Sequence, residues 1–192
     1  REGIDIKRLD KGAVIFNTER EEGFAVFVVD NTNRTEARYW IDDFLRVRQR
    51  QDNYHNTHNT LAMCKKYVTK HLSKEFEVSK ADQAELLNET MKYFQEQESF
   101  SMDDFSEKVI RQPEVVESFT RFRQEYEQDR DIRIEDEFGI SDSAVKKQAR
   151  SYKSVIKLDR NFHIYVHGNR NLLEQGEDEK GKFYKVYYEE EE

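Results

Sequence analysis

Aromatic side chains recur in nearly every segment of a chain that is otherwise strongly polar, and no other feature narrows the possible folds as much. The 192 residues include 13 Phe, 10 Tyr and one Trp, set among 38% charged residues at a mean hydropathy of -1.02. Aliphatic material is too sparse for a thick core, yet rings of this size bury enough area to offset the entropy lost on ordering the chain. The expectation is a compact, soluble fold with a thin core rather than disorder throughout. Its length suits one domain or two small ones. No stretch approaches the roughly 20 apolar residues that cross a bilayer, and the N-terminus has no basic-then-apolar signal pattern. Cys64 is the only cysteine, which excludes an internal disulfide or a multi-cysteine zinc site and fits a reducing compartment. A start at Arg1 instead of Met suggests the C-terminal fragment of a longer protein.

The periodicity of the apolar residues changes along the chain. Ala13 to Phe16 and Phe24 to Val29 are rich in β-branched and aromatic residues, and with the connection over residues 17–23 they predict a hairpin whose second strand is buried on both faces. Tyr39, Trp40, Phe44 and Val47 fall at helical spacing, which predicts a helix from Glu36 to near Gln51, broken by the Asn-rich stretch Asp52 to Asn56. Leu61, Cys64, Val68 and Leu72 form one apolar stripe, while Lys66, Lys70 and Lys74 line another face. Ser79 with Asp82 reads as a capped helix start, followed by Leu87, Met91 and Phe94. A further helix after Ser101 carries Phe105 and Val109 inward. Pro113, the one proline, opens a helix striped by Val116, Phe119, Phe122 and Tyr126. Beyond an acidic connector from Asp129 to Glu137, Ser141 is positioned to cap a short helix containing Val145, Ala149 and Tyr152. Strands are expected at Ser154 to Leu158, Phe162 to Val166 and Phe183 to Tyr188, with Gly168 to Gly181 a turn-rich connection.

These elements predict a single α+β domain over residues 1–192. A β-hairpin over 1–35 and the C-terminal strands join into one antiparallel sheet, packed against a helical region over 36–137. Residues 138–192 supply a basic helix plus β-strands.

Charge is segregated. The formal total is -8, but residues 76–140 sum to -10 whereas 36–75 sum to +3 and 141–170 to +5. Such a chain either offers a basic surface to a polyanion and leaves its acidic parts to solvent or another protein, or mixes both signs over a solvated surface. The first basic cluster is Lys146, Lys147, Arg150, Lys153, Lys157 and Arg160, on a short helix and the strand after it, an order compatible with a winged-helix-like phosphate surface. The second is Arg46, Arg48 and Arg50 with Lys65, Lys66 and Lys70, which could equally hold the acidic helices or sit at the negative end of a helix dipole.

Enzyme signals are weak. There is no Gly-rich phosphate loop, nucleophile elbow or paired-His protease motif. His55/His58 and His163/His167 have no third ligand at a familiar spacing and read as ordinary surface histidines. The adjacent pairs Asp42/Asp43 and Asp103/Asp104 suit first turns of helices better than catalysis. Cys64, on an apolar stripe, reads as a small core residue. No catalytic residue, metal or cofactor is expected.

Three stretches together resemble a known family. They are Lys11-Gly12-Ala13-Val14-Ile15-Phe16-Asn17-Thr18, Glu36-Ala37-Arg38-Tyr39-Trp40-Ile41-Asp42-Asp43-Phe44-Leu45, and Val155-Ile156-Lys157-Leu158-Asp159-Arg160-Asn161-Phe162-His163-Ile164-Tyr165. Their order is similar to that of the C-terminal half of bacterial nucleoid-associated proteins. The resemblance implies a strand pair leading into an aromatic-rich helix, a variable helical middle, and a closing basic helix plus hairpin. It also implies a cytoplasmic protein found with the bacterial nucleoid, and it carries no catalytic signature. The functional expectation is therefore a non-enzymatic, DNA-linked protein that touches phosphates without base specificity, through this chain or through an N-terminal half outside it. The rival expectation is a protein-interaction or oligomerisation module, as a homodimer or with another protein, without direct DNA contact. A hydrolase is the third and weakest class.

Overall fold

The computed structural model describes residues 10–16, 24–30, 39–47, 50–152, 155–159, 161–166 and 172–190. The expected connection over 17–23, the helix start at Glu36, the strand start at Ser154, and Arg48, Lys153, Arg160 and His167 lie outside them. The chain divides into two compact units, Arg1–Arg50 and Gln51–Glu192.

In the first unit, β1 (Lys11–Phe16) pairs antiparallel with β2 (Ala25–Asp30) from Lys11↔Asp30 to Phe16↔Ala25, so the expected hairpin strands are present. The expectation that β2 is buried on both faces does not hold. Five of its residues are half-buried and Phe27 is 62% exposed. Hydrophobic composition alone does not supply the second covering layer that a doubly buried strand needs. Tyr39–Phe44 forms one π-helical turn, with Trp40 and Phe44 stacked at 4.8 Å, and the chain leaves helical geometry at Leu45. The aromatic spacing thus produces a short turn where about four turns were expected.

The second unit is built on α1 (Asn53–Lys66), which begins where a break was expected. The carboxylate of Asp52 accepts the backbone N–H of His55 at 2.9 Å, so the polar Asp-Asn pair starts the helix. A π-helical turn at Tyr67–His71 leads into α2 (Leu72–Glu75). The stripe Leu61, Cys64, Val68 and Leu72 is buried, and Lys66, Lys70 and Lys74 are exposed, as the spacing predicts. Helix α3 (Lys80–Glu96) opens with a reciprocal capping box: Ser79 Oγ accepts from the Asp82 N–H at 3.1 Å, and Asp82 accepts from the Ser79 N–H at 2.9 Å. Strand β3 (Ser99–Ser101), α4 (Met102–Phe105) and a π-helical turn at Ser106–Ile110 follow. Pro113 occupies the first turn of α5 (Pro113–Arg130), where its missing N–H costs nothing, and Asp131 ends the helix in the left-handed conformation at φ 51°.

Then come β4 (Glu137–Gly139), α6 (Asp142–Ala149), β5 (Val155–Leu158), β6 (Phe162–Tyr165), β7 (Leu173–Asp178) and β8 (Gly181–Val186). Ser141 stands at the N-cap of α6 without capping it. Its hydroxyl meets Ser143 Oγ, while its backbone N–H donates to Thr57 Oγ1 at 3.0 Å and so ties the start of α6 to α1. At the other end the Tyr152 hydroxyl donates to the Leu61 carbonyl, a second tie across the same pair of helices.

The α+β class holds, but the single joined sheet does not. Among the described residues the strands form four separate antiparallel pairs, β1–β2, β3–β4, β5–β6 and β7–β8. Pairing across the sequence depends on contacts that periodicity does not encode. Two of the pairings were not expected. The β3–β4 ladder joins Ser99–Ser101 to Glu137–Gly139 through Phe100↔Phe138, and β7 lies inside the segment read as a turn-rich connection. Gly176 within β7 leaves room for the ring of Phe183, into which an added Cβ would run.

The core is a run of rings. Phe138 stacks on Phe100 at 4.8 Å, Phe100 meets Phe105 at 5.6 Å, and Phe105 meets Phe119 at 6.1 Å. Phe119 meets Tyr67 edge-on at 5.1 Å, and the run continues through Phe122 to Tyr126. Cys64 is buried among these groups and burial pushes its thiol pKa up, in accord with a core role. A smaller cluster docks the C-terminal hairpins on α3, where Ala81 and Ala84 admit Ile156, Val166 and Leu173. Asn88 Nδ2 donates to the Val166 carbonyl at 3.0 Å beside it.

Removing the central ring should be costly. Phe119→Ala is expected to destabilise the chain by about 3–5 kcal/mol in urea unfolding. Tyr152→Phe, which removes only the hydroxyl tie to α1, should cost about 1 kcal/mol in the same measurement.

Candidate nucleic-acid interface

Positions 54, 58, 62 and 66 lie four apart along α1, so Tyr54, His58, Ala62 and Lys66 share one side of the helix. Tyr54 and His58 are stacked, with ring centroids 6.3 Å apart and planes 16° apart. Helix α6 packs across α1 and sets Lys147 on Tyr54, its Nζ donating to the phenol oxygen at 3.2 Å. The last turn of α5 brings Arg130 to the same neighbourhood. Its guanidinium lies 4.7 Å from the centroid of Tyr126, and Lys66 Nζ lies 5.3 Å from that ring. The final ring of the core run is thus covered by two cations.

His58, stacked on Tyr54, feels the charge of two of these cations. Burial lowers its pKa below the ordinary histidine value, and the charges of Lys147, His55 and Arg130 push in the same direction against a raising hydrogen bond from Asn59. Cations from α5 and α6 therefore act on one half-buried imidazole of α1. His55, one turn earlier, faces Asp52, with Nδ1 2.8 Å from the carboxylate.

Several basic residues elsewhere in the second unit are ion-paired. Arg111 pairs with Glu89, Arg121 with Glu75 and Glu117, Arg123 with Glu127 and Asp136, and Lys108 with Asp104. Asp104 also accepts from Tyr93 at 2.9 Å, and these bonds hold its carboxyl below the usual range, so this member of the Asp103/Asp104 pair serves the fold. Burial with the Asp104 bond pushes the Tyr93 phenol up to about 12. By contrast, among the described residues no carboxylate lies within ion-pair distance of Lys66, Arg130 or Lys147.

The two basic clusters of the sequence are therefore only partly reunited. Lys147 of the first and Lys66 of the second border the same face. Lys146 and Arg150 are exposed at α6, and Lys70 is exposed one turn beyond Lys66. Lys157 is exposed on β5, directly opposite His163, on the side of that hairpin away from Ile156. Arg46 and Arg50 are exposed in the first unit.

Arg130 and Tyr54 were not expected at a site, and His58 was read from the sequence as an ordinary surface histidine. Arg130 is hidden in a segment whose net charge is strongly negative. The spacing of four from Tyr54 through His58 to Lys66 was the available signal. Among the described residues no group of three or more His, Cys, Asp or Glu side chains could hold a metal ion, and no helix is long and apolar enough to cross a membrane.

No curated protein and no solved structure matches the chain. The family model described as "Nucleoid-associated protein YejK" matches residues 1–191, essentially the whole chain, and its span includes all three stretches that carried the resemblance. The chain belongs to the nucleoid-associated protein YejK family.

Proposed function

We propose that the face formed by α1, the end of α5 and α6 contacts the phosphate backbone of DNA without reading base sequence. The observation that carries this reading is the set of cations left without carboxylate partners, Lys66 and Arg130 on the Tyr126 ring and Lys147 on Tyr54, in a chain of net charge -8. Arg111, Arg121 and Arg123 are neutralised in pairs, whereas cations that keep their charge free are what a phosphate surface requires. Lys70, Lys146 and Arg150 extend the basic rim, and the half-buried Tyr54 offers a ring edge beside it. The reading needs no catalytic group or cofactor, and it fits a protein of the bacterial nucleoid and cytoplasm. The acidic helices keep the contact local, since attraction spread over the whole chain would be repulsive.

A second reading rests on a different observation. Val14, Ile15, Phe16, Phe24 and Phe27 of the N-terminal hairpin are between 48% and 65% exposed. Apolar side chains grouped on one hairpin favour a protein-interaction or self-association surface there. The two readings concern different units and are compatible.

Neutralising Lys66, Arg130 and Lys147 to Gln together should weaken binding to duplexes of any sequence. The slope of log affinity against log salt should fall by about 2.7, at about 0.9 per lost contact. Fluorescence anisotropy of a labelled random duplex measures it, with circular dichroism to show that the variant folds. An unchanged slope in a folded variant overturns the assignment. Reversing Lys146, Lys147 and Arg150 to Glu is the companion variant, and it should also weaken binding across all sequences. For the hairpin, Phe27→Ser is expected to lower the association state seen by light scattering. A strictly monomeric parent chain at high concentration would remove that reading.

A further inference from the structure

The imidazole of His58 occupies an unusual place on the proposed face, and its surroundings differ from those of His55. His55 has an anionic neighbour, Asp52, at 2.8 Å. His58 has none among the groups that act on it. Lys147 of α6 bonds the Tyr54 ring on which His58 stacks, the charges of Lys147 and of Arg130 from α5 act on the imidazole, and His55 is the titratable neighbour on its own helix. Its ring is stacked on Tyr54, whose hydroxyl is held by Lys147. A polyanion arriving on this face would supply the negative charge that the site lacks.

We propose that polyanion binding on this face is coupled to uptake of one proton by His58, so that phosphate and proton bind cooperatively. The proposal rests on the phosphate reading given above. In the free protein burial, and after it the charges of Lys147 and Arg130, disfavour the charged form of the imidazole. A phosphodiester among Lys66, Arg130 and Lys147 reverses the local potential and raises the histidine pKa. The proton comes from solvent and no covalent bond changes. Phosphodiesters do not titrate near neutral pH, so the change of charge falls on the protein.

The sign follows from linkage. Affinity should be flat where His58 stays neutral in both states, rise as pH falls through the bound-state pKa, and level off below the free-state pKa. One proton permits at most about a tenfold gain in affinity per pH unit. In competition among cellular polyanions, such coupling would favour the densest phosphate surface as the cytoplasm acidifies.

The test is anisotropy of a labelled random duplex at constant ionic strength, from about pH 8 to about pH 6, on the 192-residue chain and on His58→Gln and His58→Lys. The parent should gain roughly tenfold over this range. His58→Gln should lose the greater part of that gain, and His58→Lys, permanently charged, should bind with a flattened profile. In parallel, the His58 Cε1–H resonance should titrate at higher pH with duplex present than without it, a readout that needs no substitution. Equal pH profiles for parent and His58→Gln, or a His58 titration unmoved by duplex, overturn the coupling. If the Lys66, Arg130 and Lys147 triple variant loses affinity while either of those results is found, the phosphate face stands and only the coupling fails. If that triple variant binds like the parent, the face itself is wrong.

Discussion

Ring-to-ring packing from Phe138 to Tyr126 is the constraint on which the helical unit depends. A chain with 36% hydrophobic residues has few aliphatic groups to spend on a core, and each ring covers more area than an aliphatic side chain would. The run draws on β4, β3, α4, α5 and the π-helical turn after α1, so no element can shift without separating a ring pair. Tyr67 lies at its middle, fully buried, and donates its hydroxyl to Ser118 Oγ at 3.0 Å. That bond fixes the π-helical turn against α5 and sets the direction in which α1 presents Lys66.

The candidate surface is an outgrowth of this core. Tyr126 is both the last ring of the run and the platform for Lys66 and Arg130, so the positions of two cations follow from the packing beneath them. The third cation is placed by the ties between α6 and α1. Ser141 bonds Thr57 at one end and Tyr152 bonds Leu61 at the other, and between them Lys147 comes to rest on Tyr54. Arg111, Arg121 and Arg123 are treated oppositely, each held by a carboxylate of another segment. Pairs of this exposed kind contribute little stability each.

Much of the helical architecture was readable locally. The Ser79 capping box, the start of α5 at Pro113 and the stripes Leu61–Leu72 and Phe119–Tyr126 are set by interactions within one or two turns, which residue spacing encodes directly. The same local rules misjudged the segment after Tyr39, where aromatic spacing produced a single π-helical turn, and Asp52, whose polar stretch proved to be a helix cap. Gly176 made β7 look like a turn, because the ring that fills its space comes from β8.

By itself the sequence determined the α+β class, the segregation of charge into basic and acidic stretches and the family likeness, because composition, periodicity and ordered motifs are properties of the chain before it folds. Only the tertiary structure decided that the strands stay in separate pairs, that Phe100 finds Phe138, that Lys66 and Arg130 share the Tyr126 ring, and that Lys147 meets Tyr54. Those contacts join residues many turns apart. Nothing in local spacing specifies which helix faces which, whereas burial of the rings and the hydrogen bonds between α1 and α6 do.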